Sequence, residues 1–420
     1  MRRFFKWGGL AALMLFFMLP CEVRAAGVLT LDTSLNMSAR YDSNVTAETG
    51  GGRGDQLYVF TPSVRLGLSE LLWSLSGNAS YSLRRYATER TLDDEFIRLG
   101  LNGSRTMTER LSASGNFSFT QDITLLSVEE APADQTEAAE TADLESVPSR
   151  RKSYSWGGGL SYALSERDSF RLSYSHSRVS YEFGGYTDSQ SNSFSLSLSH
   201  ALATQKDSLS FSTSYGTNDS DVSHVRNYSA SVGWSRSVSQ TWSLSVNVGP
   251  RYTETRQLLT LVEVVPISEE DLLYQVVYRT AEGLSTSWGV TAGARVSHRG
   301  ERSSLGFGYS RDLRYSAYGQ ALNSDSLSAN YSYRLTERLS LSLSGGAFFS
   351  QSETGSEAEG AYETVYRFSS SLGYKFLSGH SVQVGCSYSH RLGGASDEEA
   401  TNQYGVFVSV TLAFPKQYDI

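Results

Sequence analysis

Apolar and polar residues alternate along almost the whole chain. Leu339, Leu341 and Leu343 are separated by Ser340 and Ser342, and Phe194, Leu196 and Leu198 by Ser195 and Ser197. Trp242, Leu244, Val246 and Val248 are separated by Ser243, Ser245 and Asn247 in the same way. Successive side chains of an extended strand point to opposite faces, so each stretch carries one apolar face and one hydroxyl face. No window has a comparable helical period. Only 7 prolines occur in 420 residues, as long hydrogen-bonded ladders require. The pattern predicts 18 strands, from a first near 30–42 to a last near 403–414, with 16 and 20 as the neighbouring counts.

The connections alternate too. Short turns such as Ser69–Leu71, Ser165–Asp168, Thr336–Arg338 and Leu377–His380 separate longer polar stretches. Eight connections are of the short kind and nine of the long kind, beginning and ending with a long one. An even-numbered antiparallel barrel with short turns at one end and longer loops at the other is the form strands take in bacterial outer membranes. Closing the sheet removes bare edges, which hydrocarbon does not tolerate. A soluble sandwich would bury its apolar faces against each other, and no repeat of fixed length supports a solenoid or propeller. Aromatic residues gather at strand ends, as interfacial girdles do. Trp73, Phe170, Trp242, Phe376 and Phe414 fall near the short-turn end, and Tyr154, Trp156, Trp288, Tyr366, Tyr388 and Tyr404 near the other. The fold expected is an all-β transmembrane antiparallel barrel, with both termini in the periplasm.

The first 25 residues have a different character. Arg2, Arg3 and Lys6 precede an apolar run from Gly8 to Leu19, and Val23 and Ala25 occupy the −3 and −1 positions of a cleavage site. This is the pattern of a secretory signal peptide over 1–25, leaving 26–420 as a single barrel domain. Beyond it no run of 18 apolar residues occurs, so no transmembrane helix is expected. Cleavage takes 36 basic and 44 acidic residues to 32 and 43, a formal charge of −11, which disfavours nucleic acid as a partner. Cys386 is then the one cysteine left, so no intramolecular disulfide is expected. It shares parity with Val382, Val384 and Tyr388, the apolar face. The 6 histidines are scattered without metal-ligand spacing. No metal, cofactor or catalytic residue is expected, and the chain is read as a non-enzyme.

Parity assigns ten arginines to the hydroxyl face: Arg40, Arg65, Arg84, Arg98, Arg171, Arg251, Arg295, Arg314, Arg334 and Arg367. Asp32 and Asp42 are among the few carboxylates that share it. Such guanidiniums predict a positive lining that attracts anionic solutes; pairing with acidic loops, or a place at the wet rim, is the competing reading. Two long external loops stand out, at 122–152 and 255–283. The first carries Asp122, Glu129, Glu130, Asp134, Glu137, Glu140, Asp143 and Glu145 with no basic residue before Ser149. Its composition fits a solvated acidic loop outside the cell better than a constriction folded into the lumen. In the second, β-type residues flank Pro266 and predict a hairpin that continues above the membrane.

The opening strand ends in Arg40, Tyr41, Asp42, Ser43, Asn44 and Val45. It resembles the start of a β-barrel porin family of Gram-negative outer membranes, whose members often begin with an alternating strand closed by Tyr-Asp-x-Asn-Val/Ile. That resemblance implies a porin, and members often accompany exopolysaccharide export genes. The last strand, with Tyr404, Leu412 and Phe414 on one face, looks like the insertion signal read by the barrel-assembly machinery, though Pro415 to Ile420 follow it. General porins fold their third external loop inward, and by that likeness Glu129, Glu130, Asp134, Glu137 and Glu140 would form a constriction.

The function expected is passive passage of small polar or anionic solutes through a Ser/Arg-lined channel. The alternatives are the outer-membrane barrel of an exopolysaccharide export system, working with polysaccharide-export proteins, and a structural or adhesive barrel. The partners expected are outer-membrane lipid, lipopolysaccharide and the barrel-assembly machinery.

Overall fold

The computed structural model describes residues 27–46, 52–123, 149–182, 185–204, 206–268, 273–316, 319–352, 363–377, 379–393 and 400–419. Eighteen strands follow one another in chain order: β1 (Val28–Asp42), β2 (Asp55–Ser69), β3 (Trp73–Tyr86), β4 (Asp94–Thr106), β5 (Leu111–Ile123) and β6 (Arg150–Ala163). Next come β7 (Asp168–Tyr181), β8 (Ser189–Ala201), β9 (Asp207–Ser220), β10 (Ser223–Ser237), β11 (Trp242–Ser268) and β12 (Leu273–Arg299). The last six are β13 (Ser303–Tyr315), β14 (Ala321–Arg334), β15 (Leu339–Ser352), β16 (Glu363–Lys375), β17 (Ser381–Gly393) and β18 (Ala400–Asp419). Each pairs antiparallel with its chain neighbours, and β1 pairs with β18 to close the barrel. The sequence count of 18 is the count found.

Alternation explains the closure. Within each strand the large apolar side chains share one parity, and register pairs carry that parity unchanged from strand to strand. Leu35 pairs with Leu412, Phe194 with Tyr215, and Leu341 with Leu372. Among the described residues the only register shift lies at Pro266/Ser268, at the tip of the β11–β12 hairpin, so no bulge there inverts the faces around the wall. The outer face is therefore apolar and exposed at Leu66, Val248, Phe368 and Val406. Four prolines enter strands, Pro62, Pro250, Pro266 and Pro415, and the first two coincide with a local gap. Pairing of β2 with β3 skips Pro62, and pairing of β10 with β11 skips Gly249 and Pro250. At the second gap the backbones approach so closely that a Cβ on Gly249 would lie 1.8 Å from the Ala230 carbonyl oxygen.

Two sequence expectations change in detail. The polar stretch between β9 and β10 is not a long loop: the strands run on to Ser220 and Ser223, and Ser220 Oγ accepts from the Ser223 amide at 3.0 Å to close the turn. The acidic loop is shorter than 122–152, because Asp122 ends in β5 and Arg150, Arg151 and Lys152 begin β6. The hairpin expected over 255–283 is present: it continues β11 and β12, which stay paired from Trp242↔His298 to Ser268↔Leu273. That hairpin rises about 16 residues beyond Tyr252, roughly 50 Å of strand at about 3.3 Å per residue. The expected signal peptide, and Glu129, Glu130, Asp134, Glu137 and Glu140, lie outside the described residues. Tyr404 and Phe414 lie on the exposed outer face, and Leu412 shares their parity. The strand that carries them continues past Phe414, with Pro415 to Asp419 paired against Asp32 to Val28.

Candidate functional site: the inner wall

The face opposite the apolar band is lined with hydroxyls that meet across strand boundaries. Ser173 and Ser195, Ser212 and Ser231, Ser214 and Ser229, and Ser118 and Ser155 all lie 2.6–2.7 Å apart, oxygen to oxygen. Directly opposed residues of an antiparallel pair have their Cβ atoms about 5 Å apart, which is within reach of two short hydroxyl side chains. Serine is thus both the polar half of the alternation and the glue along the inner wall.

Register places all ten predicted arginines on this face, but in different surroundings. Arg65, Arg98, Arg171 and Arg295 are exposed, and among the described residues none of them has an ion-pair partner. Arg65 stands directly opposite Asp32 in the register, Arg171 opposite Ser161 and Ser197, and Arg295 opposite Ser245 and Gly308. Arg334, near the short-turn end, donates to the Glu301 carbonyl. The others are partly or fully covered. Arg40 lies 3.4 Å from Asp42 and donates to Ser387 Oγ at 3.2 Å. Arg367 lies over the Phe348 ring at 5.3 Å, Arg314 is half-buried, and Arg84 and Arg251 are buried.

At the long-connection end the lumen is packed from two sides. On the β1–β6 side, inward Leu57, Tyr86 and Phe96 pack with Val45 and Leu92 from the β1–β2 and β3–β4 connections, and Val59 lies against them. Arg84, 2% exposed, lays its guanidinium 4.0 Å above the Phe96 ring. Around this cluster stand ion pairs: Arg150 with Asp94 at 3.0 Å, and Arg151 with both oxygens of Asp122 at 2.9 and 2.7 Å. Asp55, at the mouth beyond Tyr58, accepts the amides of Gln56, Thr88 and Glu89. Burial works against its charge, but those amides hold its carboxyl below the usual carboxylate range.

On the far side the tip of the β13–β14 hairpin reaches inward. Ser223 Oγ, at the β9–β10 turn, donates to the Gly319 carbonyl at 2.5 Å. Arg251, with no exposed surface, crosses the inner face of Gly289 and donates to Asn323 on β14. A Cβ at Gly289 would lie 2.7 Å from its Nη2. Val225, Thr253, Ala321 and Ser324 are buried beside this contact.

Sequence parity missed several members of this face. Arg151 and Asp122 were assigned to a loop, although each fits the period of its strand. Arg391 pairs with Thr401 and Val365 on the inner face, and Asp94 shares that face with Arg84. The expectation of few inward carboxylates is therefore corrected: Asp94 and Asp122 also face inward, each paired with an arginine of β6.

No protein-family model matches the chain, and neither does any curated protein. Among solved structures, similarity is found to OccK2 (OpdF) from Pseudomonas aeruginosa in complex with glucuronate, at 12% identity and TM-score 0.45, covering 92% of this chain and 98% of that one. OpdK from the same organism gives 11% identity and TM-score 0.43 over 91% and 99%. A BenF-like porin from Pseudomonas fluorescens Pf-5 gives 10% and 0.45 over 91% and 99%. Identities and TM-scores this low carry no functional weight. The chain forms a closed 18-stranded antiparallel barrel with a hydroxyl-lined interior.

Proposed function

We propose that the protein spans a Gram-negative outer membrane as a porin-like channel for small polar or anionic solutes, with its short-turn end and both termini in the periplasm. An apolar belt outside and a hydroxyl wall inside support the location, because hydrocarbon accepts strands only when every backbone group is paired within the barrel. The observation that carries the selectivity is the set Arg65, Arg98, Arg171 and Arg295. These guanidiniums are exposed on the inner wall, while the remaining inward arginines that are buried are covered or paired. Exposed like charges along a narrow path raise the local concentration of the opposite ion.

The purified protein in planar bilayers should conduct in discrete steps with chloride preferred over potassium. The double variant Arg171→Glu and Arg295→Glu should lower that preference several-fold or invert it, without loss of the folded barrel on unheated gels. An unchanged reversal potential would remove the anionic reading. Narrowing is proposed to come from the β1–β2 and β3–β4 connections and the β13–β14 tip. Deleting Glu129 to Glu145 should then leave single-channel conductance unchanged, as the external reading of that loop requires. The polysaccharide-outlet and adhesive readings have no support of their own among the described residues.

A further inference from the structure

The open inner wall is not uniform. Over much of it the serines are spent on one another, as Ser173 is on Ser195 and Ser212 on Ser231. On β2 to β5 the inward side chains differ. Arg65, Asn78, Arg98, Asn102 and Asn116 face the lumen there, and all five are exposed. Among the described residues none of the five has a hydrogen-bond or ion-pair partner. No other run of four described strands gathers two such guanidiniums and three such carboxamides.

Register gives their arrangement. Arg65 stands opposite Asn78, Asn78 opposite Gly100, and Asn102 opposite Asn116. Arg98 and Asn102 flank Gly100 along β4, each two residues away. Gly100 is therefore a gap in the wall ringed by polar groups. The Asn78 carboxamide leans across it: a Cβ at Gly100 would lie 3.1 Å from its Cγ and 3.2 Å from its Nδ2. Asn116 leans over Gly157 in the same manner, its Oδ1 2.9 Å from where a Cβ would stand. The Cα atoms of Arg65 and Arg98 are about 12 Å apart, two strand spacings across and two residues along. Two long side chains at that separation can meet on one small molecule. Asp32, half-buried and outside any ion pair among the described residues, stands opposite Arg65 and leaves the patch a net single positive charge. One inward position nearer the mouth, Phe96 begins the packed cluster.

A carboxamide both donates and accepts, so it suits a hydroxyl group, which does the same. A guanidinium takes a carboxylate through two parallel bonds. Three carboxamides and one surplus positive charge together describe a molecule with several hydroxyls and one carboxylate. We propose that the β2–β5 wall around Gly100 is a binding subsite for a small sugar acid. Arg65 and Arg98 hold its carboxylate, and Asn78 and Asn102 its hydroxyls. The subsite rests on the channel reading, which gives the solute its path, and adds which anions pause along it. A sparser version lies eight strands round the barrel, where Asn247 leans over Gly293, two residues from Arg295. With one guanidinium and one carboxamide it makes fewer bonds.

The test uses the full folded chain in planar bilayers carrying chloride current, with gluconate as the probe. Gluconate should reduce the current saturably, with half-block on the order of 1–10 mM, the strength of a few exposed hydrogen bonds. Butyrate, which has the carboxylate alone, and sorbitol, which has the hydroxyls alone, should each need at least tenfold more. Asn78→Ala combined with Asn102→Ala should raise the half-block concentration at least fivefold, and Asn247→Ala less than twofold. Chloride conduction without saturable gluconate block overturns the subsite and leaves the channel standing. Equal block by butyrate does the same, as does a double variant that is blocked like the parent, or an Asn247→Ala effect as large as that of the double variant. If the double variant gives no folded barrel on unheated gels, an unchanged half-block in Arg98→Gln overturns the subsite. A silent bilayer overturns the channel, and the subsite with it.

Discussion

β7 and β8 stay in register from Asp168↔His200 to Val179↔Ser189, whereas β12 and β13 part above Ala292↔Arg311. Along the first boundary the inner face is almost entirely serine, with Arg171 its one charged side chain and hydroxyl meeting hydroxyl at 2.6 Å. Along the second, the inner face of the neighbouring β11 holds Arg251, a long side chain that needs somewhere to go. It lies over Gly289, where there is no Cβ to obstruct it, and reaches a partner on β14, which is not an adjacent strand. Small hydroxyls let a wall close on itself by local pairing alone. A long buried cation recruits a non-neighbouring strand, and the tip that supplies it leaves the ladder.

The comparison can be broken or sharpened by substitution. The largest effect is expected within the regular half, at its rim. Arg151→Ala leaves Asp122, almost fully covered, without its bidentate partner, and should cost about 3–5 kcal/mol, since an abandoned buried charge is the costly case. Urea unfolding in detergent, followed by tryptophan fluorescence, measures it. Arg251→Ala should cost about 3 kcal/mol in the same assay, through the lost buried packing and an unpaired Asn323. It should also raise single-channel conductance as the tip loosens; a stable barrel of unchanged conductance would mean that the tip is not held there. Gly289→Val should follow at about 1–3 kcal/mol, the range for overpacking, because the new side chain occupies the space Arg251 crosses. Ser173→Ala, in the regular wall, should cost less than about 1 kcal/mol, as one cross-strand pair among many.

Contrast also runs from one end of the barrel to the other. The short-turn end is closed by local hydrogen bonds, such as Ser165 Oγ accepting the Arg167 and Asp168 amides at 3.1 and 3.0 Å. The opposite end is packed by residues distant in sequence: Val45 and Leu92 against Phe96 on one side, Gly319 against Ser223 on the other. On the proposed channel reading, the inward-folded connections would control passage and the open wall below would set charge and wetness.

The alternation of Leu and Ser, read two residues at a time, was enough to determine the number of strands, the apolar and hydroxyl faces, and the parity of Arg65, Arg98, Arg171 and Arg295. Those properties repeat with the pleat and need no knowledge of what lies across the barrel. Parity also marked Arg84 and Arg251 as inward, but could not separate them from the exposed four. Burial depends on Phe96 and Asn323, which the chain brings in from twelve residues away in one case and from seventy-two in the other. Asp122 and Arg151 were hidden because acidic composition outweighed a period that runs only one turn of the pleat further. The inward tip and the parted seam were legible nowhere in the sequence. They follow from where a single guanidinium finds its partner, and that is fixed only when the sheet has closed.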